Sequence, residues 1–375
     1  MNEVSDDNDD PPSDVDEREI INNDDADHNS DSEIGYTGSS SDEDLEDNDN
    51  FYVGRDKVTM WRKTSYSTSS KTKKKNIVKI FPGPKGNARV VNGEMKAFSC
   101  IMDDNIIDHI IRCTNLFIER KQIGTNFTRD RRFREVSRSE ILALLGLLYL
   151  IGTKKGSHTN VLELWSSDGT GIQILRAYMS YDRFLQILRS IRFDDKSTRS
   201  ERIRTDKLAA IRTVLDSFTE NCKTCYNPGE FIAIDEKLEP FRGRCNFIQY
   251  IPHKPAKYGI KIFALCDAKT FFTSNIEVYC GKQPDGPFHA SNKPLDIVER
   301  LVLPFADSNR NLTTVNWYTS YPLGLSLLKK GITIVGTLRK DKRAYLAIRK
   351  ILHSFLMIRK GRNQLYCCPL CTIKE

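Results

Sequence analysis

The run Phe231-Ile-Ala-Ile-Asp235-Glu-Lys-Leu-Glu-Pro-Phe-Arg242-Gly-Arg244 alternates as a half-buried strand does and delivers one carboxylate, Asp235, beside a basic turn. A metal-dependent phosphoryl-transfer enzyme needs its first acid at such a place. Two divalent ions about 4 Å apart activate the attacking oxygen and stabilise the leaving one, and holding them takes several carboxylates, one of them commonly bridging both. Eighty positions on, Asn311-Leu-Thr-Thr-Val315-Asn316-Trp-Tyr-Thr-Ser also reads as a strand, over 311 to 318, but the place where a second acid would serve holds Val315. Glu236 should point away from Asp235 because strand side chains alternate, and Asn316 should face away from it for the same reason. Beyond Val315 the only acids are Asp341 and Glu375, so no third acid arrives on a helix. Asp235 is thus a candidate metal ligand and catalytic group in vestigial form. The same residues also fit a plain strand-end carboxylate paired with Arg242 or Arg244.

Several elements must position these residues. Ser137-Arg-Ser-Glu140 has the spacing of a capping box, and Ile141 to Ile151 after it is apolar nearly all round, which predicts a central buried helix. A second helix starts at Met179-Ser180-Tyr-Asp-Arg-Phe184, with Phe184, Ile187, Leu188 and Ile191 on one stripe and Arg189 and Arg192 left to solvent. A third is expected over 207 to 222, with its stripe at Leu208, Ile211, Leu215 and Phe218. After Asn227-Pro-Gly229 the period changes: strands are expected at 230–238, 258–267, 271–280, 311–318 and 332–338, and helices at 293–304 and 321–330. Three hairpin-linked strands followed by helix, strand, helix, strand is the order of a ribonuclease H-like fold, in which the first and fourth strands lie side by side.

Charge divides the chain unevenly. It carries 57 Lys+Arg and 50 Asp+Glu, yet residues 1 to 50 hold twenty acids and one base, a net of −19 that leaves +26 for the rest. Such a split suggests an acidic tail on a nucleic-acid-binding body. The head is too charged to offset the entropy of ordering and reads as a disordered solvated tail, or as a DNA mimic that competes for the body. Residues 51 to 96, with Pro82, Gly83, Pro84 and Gly86 among many bases, read as a linker or irregular arm. Lys71-Thr-Lys-Lys-Lys75 is either a nuclear-import signal or plain basic linker. The longest uncharged apolar run, Ile141 to Gly152, is too short to span a bilayer, so no membrane partner is expected. Ten cysteines at irregular spacing, with Cys368 and Cys371 as one CxxC pair, read as reduced thiols rather than a zinc site. Phosphate contacts are expected from Arg242, Arg244, Lys254, Lys257 and Lys261 on the first hairpin and from Arg339 and Arg343 after the last strand, unless these bases only line a solvated face.

Four segments carry a family resemblance: Ile234-Asp-Glu-Lys-Leu-Glu-Pro-Phe-Arg-Gly-Arg-Cys245, Tyr250-Ile-Pro-His-Lys-Pro-Ala-Lys-Tyr-Gly-Ile-Lys261, Asn316-Trp-Tyr-Thr-Ser320 and Ile334-Val-Gly-Thr-Leu-Arg339. They resemble the core of piggyBac transposases, and Leu164-Trp-Ser166, Met179 to Phe184 and Ile191-Arg-Phe-Asp-Asp-Lys196 are similar to that family's helical region. The resemblance implies a cut-and-paste DNA transposase with three catalytic aspartates and Mg2+, working in the nucleus as a dimer on terminal repeats and TTAA targets. Asp235 falls on the first family aspartate and Val315 on the second, while the chain stops before the third and before the cysteine-rich zinc domain. The organisation expected is therefore an acidic tail (1–50), a basic linker (51–96), a helical DNA-binding and dimerisation domain (97–229), an incomplete ribonuclease H-like α/β domain (230–343) and an off-family tail (344–375). The function expected is that of a catalytically inactive, transposase-derived DNA-binding protein that needs no cofactor as it stands, with a homodimer as an open option. The alternatives are a transposase or nuclease with residual metal-dependent cleavage and a decayed fragment without function.

Overall fold

The structure, a computed structural model, describes residues 51–53, 57, 60–62, 77–123, 134–156, 159–339, 354–358 and 365–367. The acidic head, the Lys71–Lys75 run, Arg343, Cys368 and Cys371 lie outside the described residues. The chain forms two compact units. The larger takes Asp47–Asp235, Ala264–Ile276 and Lys282–Glu375, and the smaller, among the described residues, takes Glu236–Phe263 and Glu277–Gly281.

The larger unit begins with three short strands, β1 (Phe51–Val53), β2 (Met60–Arg62) and β3 (Gly83–Pro84). Its helices follow as α1 (Glu94–Ile101), α2 (Asp104–Ile123), α3 (Arg138–Thr153), α4 (Val161–Leu164), α5 (Gln173–Tyr178), α6 (Tyr181–Ser190), α7 (Lys196–Arg202) and α8 (Arg212–Cys225). The arm expected to be irregular is therefore partly structured. β3 pairs with β4 (Tyr226–Asn227), Gly83 opposite Asn227, and the Lys85 amide donates to the Cys225 carbonyl at 2.8 Å.

The capping box at α3 is present in full, Ser137 accepting from the Glu140 amide and Glu140 reaching back to the Ser137 amide. α3 is not buried all round, however. Ile141, Leu144 and Leu147 enter the core, whereas Leu148 and Tyr149 are exposed, Tyr149 at 67%. Trp165 anchors the helical core: its ring lies 4.6 Å from that of Phe184, and its Nε1 donates to the Met179 carbonyl at 2.9 Å. α8 starts five residues later than the stripe suggests. Asp206, buried, accepts from the Leu208 amide and is gripped by Arg212, which holds 206–211 in tight turns ahead of the helix. Arg192 also departs from expectation, since it lies past the end of α6 and is half-buried over the Phe117 ring, 3.6 Å from its centroid.

The strands that follow are β5 (Phe231–Pro240), β6 (Gln249–Tyr250), β7 (Tyr258–Asp267) and β8 (Thr273–Val278). Then come α9 (Pro294–Val302), β9 (Asn311–Thr314), α10 (Tyr321–Lys329) and β10 (Thr333–Leu338), with β11 (Ser354–Ile358) and β12 (Leu365–Cys367) last. In the larger unit β5 lies beside β9 and β9 beside β10, all parallel, and β7 lies on the other side of β5, where the Ala268 amide donates to the Phe231 carbonyl at 3.0 Å. β8 pairs with β7, so the order β8-β7-β5-β9-β10 is that of a ribonuclease H-like sheet. In the stretch after Ala344, expected to depart from the family in sequence, the described residues extend the sheet: β11 pairs antiparallel with β10, β12 with β11, and β2 runs parallel to β12. One face of the sheet is apolar and buried, through Ile232, Ile234, Leu312 and Ile334, and α10 packs on β10 and α9. At roughly 1.5–3 kcal/mol for each large aliphatic side chain buried, this face fixes the register on which the site depends.

In the smaller unit β6 pairs antiparallel with β7, Gln249 opposite Gly259. A Cβ built on Gly259 would stand 2.1 Å from the Glu239 carbonyl oxygen, so the two strand segments approach more closely there than any side chain permits.

Candidate functional site

The strand register settles where the two key positions meet. Phe231, Ile232, Ala233 and Ile234 pair in parallel with Asn311, Leu312, Thr313 and Thr314, and one further step along both strands sets Asp235 beside Val315. Both are exposed, on the side opposite the buried Ile232 and Ile234, as the pleat requires. Val315 ends its strand. Its carbonyl accepts from the Tyr318 and Thr319 amides, at 3.2 Å each, and from the Thr319 hydroxyl at 2.9 Å. β9 accordingly stops at Thr314, four residues short of the expected strand, and Asn316 sits in the turn rather than in the alternation.

The next strand closes in on this turn. A Cβ on Gly336 would lie 2.7 Å from the Thr314 carbonyl oxygen and 2.3 Å from the Thr319 hydroxyl, and Thr314 and Thr319 share a hydrogen bond of 2.8 Å. The position that would carry a second metal ligand is thus held rigidly, and it presents two methyl groups.

Behind β5 the chain is anchored by residues that the sequence did not single out. Arg310, 2% exposed, donates to the Pro228 and Gly229 carbonyls, at 2.9 Å each. Asp267 takes the Gly229 amide at 2.6 Å and the Lys269 amide at 2.7 Å. Burial alone would raise the Asp267 carboxyl, but the amides of Gly229, Thr270 and Lys269 outweigh it and hold it below its ordinary value. Burial pulls the Arg310 guanidinium below its own. No periodic signal marks either residue, because each serves backbone groups rather than an apolar stripe.

The expected phosphate-binding residues divide by exposure. In the smaller unit Arg242, Arg244 and Lys257 are exposed. Lys254 is half-buried and committed, its Nζ 3.1 Å from the Glu236 carbonyl oxygen and 3.6 Å from Glu236 Oε1. Lys261 is buried, at 9% exposure, with its ammonium 5.3 Å from the Phe263 ring centroid and 5.8 Å from that of Tyr279, so it does not present a surface charge. Its place on the buried face of β7 follows from the strand alternation, Lys261, Phe263 and Leu265 sharing one side. In the larger unit Arg339 is half-buried after β10.

The donor set does not fit a two-metal centre. Continuing the Ile234–Thr314 register by one step opposes Asp235 to Val315, and among the described residues no group of three His, Cys, Asp or Glu side chains comes together. Cys100, Cys113, Cys222, Cys225, Cys245, Cys266 and Cys280 are free thiols.

A mixed sheet of order β8-β7-β5-β9-β10, with a carboxylate on its central strand, is the framework of ribonuclease H-like transposases. Residues 94–354 match the family described as Transposase IS4. Two human proteins are similar: PiggyBac transposable element-derived protein 3, 24% identical over 64% of this chain and 39% of its own length, and PiggyBac transposable element-derived protein 5, 27% identical over 65% of this chain and 47% of its own. A cryo-EM structure of the piggyBac transposase synaptic complex with hairpin DNA superposes with a TM-score of 0.65 at 34% identity, covering 70% of this chain and 54% of that one. The chain belongs to this transposase family and, within it, to the piggyBac group. It spans less than half the length of the two human relatives.

Proposed function

We propose that the protein binds DNA without cutting it, as a piggyBac-derived protein whose strand-transfer chemistry is lost. The observation that carries this reading is the register that sets Val315 beside Asp235: an isopropyl group neither ligates a divalent ion nor accepts a proton, and one aspartate does not hold two metals. The exposed guanidinium groups of Arg242 and Arg244 are suited to hold phosphates, and the structural neighbour is itself a complex with DNA. Terminal-repeat or TTAA-containing duplexes are the proposed targets, a homodimer the proposed assembly and the nucleus the proposed location, all on the family resemblance. The second reading, a transposase with residual cleavage, rests on the retained Asp235 and would draw on Mg2+.

A nicking assay with Mg2+ or Mn2+ on supercoiled DNA separates the two readings. No nicking, alongside salt-sensitive duplex binding in an anisotropy titration, is the expected result. Nicking that Asp235→Ala abolishes would establish the enzyme reading instead.

A further inference from the structure

The helical part of the larger unit contains a cleft of about 410 Å3 that none of the foregoing uses. Its cationic side is Arg192, Lys196 and Arg199, and its apolar side is formed chiefly by Ile191, Phe193 and Ile211. Three features set it apart from a solvated basic face.

First, Arg192 is preorganised. Its guanidinium stacks 3.6 Å from the Phe117 centroid, Nη1 donates to the Ile191 carbonyl at 2.7 Å and to the Arg189 carbonyl at 3.0 Å, and its amide donates to the buried Thr114 hydroxyl at 3.1 Å. A planar guanidinium fixed in this way has lost its rotamer entropy before any ligand arrives. Second, the cations outnumber their counterions. Asp194, buried, takes Arg199 through both carboxylate oxygens and also takes Arg202 at 2.6 Å, while Asp195 is engaged by Arg120. Arg192 and Lys196 line the cleft with no ion pair among the described residues, and burial together with the neighbouring Arg199 draws the Arg192 guanidinium below its ordinary value, against the weaker pull of Asp194. Like charges gathered on one cavity beyond what the fold needs mark an anion site. Third, the apolar side offers Phe193 and two isoleucines, which a bare phosphate would leave unused. The volume lies within the range of small-ligand sites and admits one base and sugar with its phosphate.

We infer that this cleft binds a single nucleotide monophosphate, its phosphate on Arg192 and Lys196 and its base against Phe193 and Ile211. The nucleotide comes either free or as an unpaired residue at a DNA strand end; the latter source rests on the proposed DNA binding.

The test uses the full chain and three ligands: dTMP, a glutamate-rich peptide, and a duplex with or without a single-nucleotide 3′ overhang. Titration calorimetry with dTMP should show binding that Lys196→Glu, an exposed substitution, weakens by about tenfold or more, as loss and reversal of one charged contact would. Arg192→Gln serves as the second variant, read only after its thermal unfolding matches the parent. If overhang DNA binds more tightly than blunt DNA and Lys196→Glu removes that preference, the strand end is the source; if dTMP alone responds, the free nucleotide is. The inference is overturned if neither dTMP nor the overhang responds to Lys196→Glu, or if the acidic peptide binds and dTMP does not. Blunt-duplex binding that survives in either case keeps the DNA-binding reading separate from this one.

Discussion

At the scale of single residues, the chemistry of this protein is decided by which groups can exchange charge and which cannot. Val315 is inert where a carboxylate would be needed, whereas Glu140 shows what a committed carboxylate does here. It closes the capping box of α3 and accepts from buried Arg183 through both oxygens at 2.8 Å, with Arg134 also at 2.8 Å. The Arg183 bond is the largest cause that lowers its carboxyl from an ordinary 4.5 to about 2; burial opposes this, and the Ser137 amide adds to it. A folded value below the unfolded one contributes stability that is complete above the ordinary carboxylate range and is lost as pH falls from about 4.5 toward 2. At 1.36 kcal/mol for each pH unit, that contribution is about 3 kcal/mol. Arg183→Met should cost roughly 1.5–3 kcal/mol at neutral pH, because it removes the bidentate partner of Glu140 and leaves only Arg134 and the Ser137 amide to hold the charge. It should also flatten the acid limb of the stability curve between pH 5 and 2, as urea unfolding followed across that range would show. An acid limb of unchanged slope in the variant would mean that Glu140 is not the group titrating.

At the scale of elements, close backbone approach does what side chains cannot. Gly336 lets β10 pass the Thr314–Val315 turn, and an alanine there meets the Thr314 carbonyl and the Thr319 hydroxyl, both too near to relax cheaply. Gly336→Ala should therefore destabilise by about 1–3 kcal/mol, the usual cost of overpacking, and break the Thr314–Thr319 hydrogen bond. An unfolding midpoint equal to the parent's would show that the turn yields freely. The elements themselves were largely legible in the sequence, for identifiable reasons. Alternating runs such as Ile232–Ile234 announced strands, Ser137 and Glu140 announced a helix start, and the order of elements announced the sheet. What escaped was set by tertiary contacts. α8 starts late because buried Asp206 holds the preceding turns, β9 stops early because the Val315 carbonyl accepts from the turn after it, and α3 is half exposed although its residues are apolar all round. The Asp235–Val315 juxtaposition was legible because parallel pairing of the first and fourth strands leaves little freedom in register. The cleft over Arg192 was not, since its walls come from 191–199 and 210–211 and its stacking partner is Phe117.

At the scale of the whole molecule, the sequence joins a −19 head to a +26 remainder, and the part that matches the two human relatives covers less than half of their length. Such a body attracts polyanions at long range, so mere affinity for DNA says little, and the informative quantity is how affinity changes with salt. Each lysine or arginine that neutralises a duplex phosphate adds about 0.9 to the slope of log affinity against log salt. Arg242 and Arg244 are exposed, so Arg242→Gln and Arg244→Gln should each lower that slope by about one while binding weakens evenly across sequences. Lys261 is the internal control. Its ammonium is buried over Phe263 and Tyr279, so Lys261→Gln should leave the slope alone and lower thermal stability instead. If Lys261→Gln reduces the slope and the two arginine variants do not, the binding surface is not the exposed hairpin of the smaller unit. Sequence counted all three as equivalent positive charges; the pleat of β7, which turns one of them inward, is what makes them different.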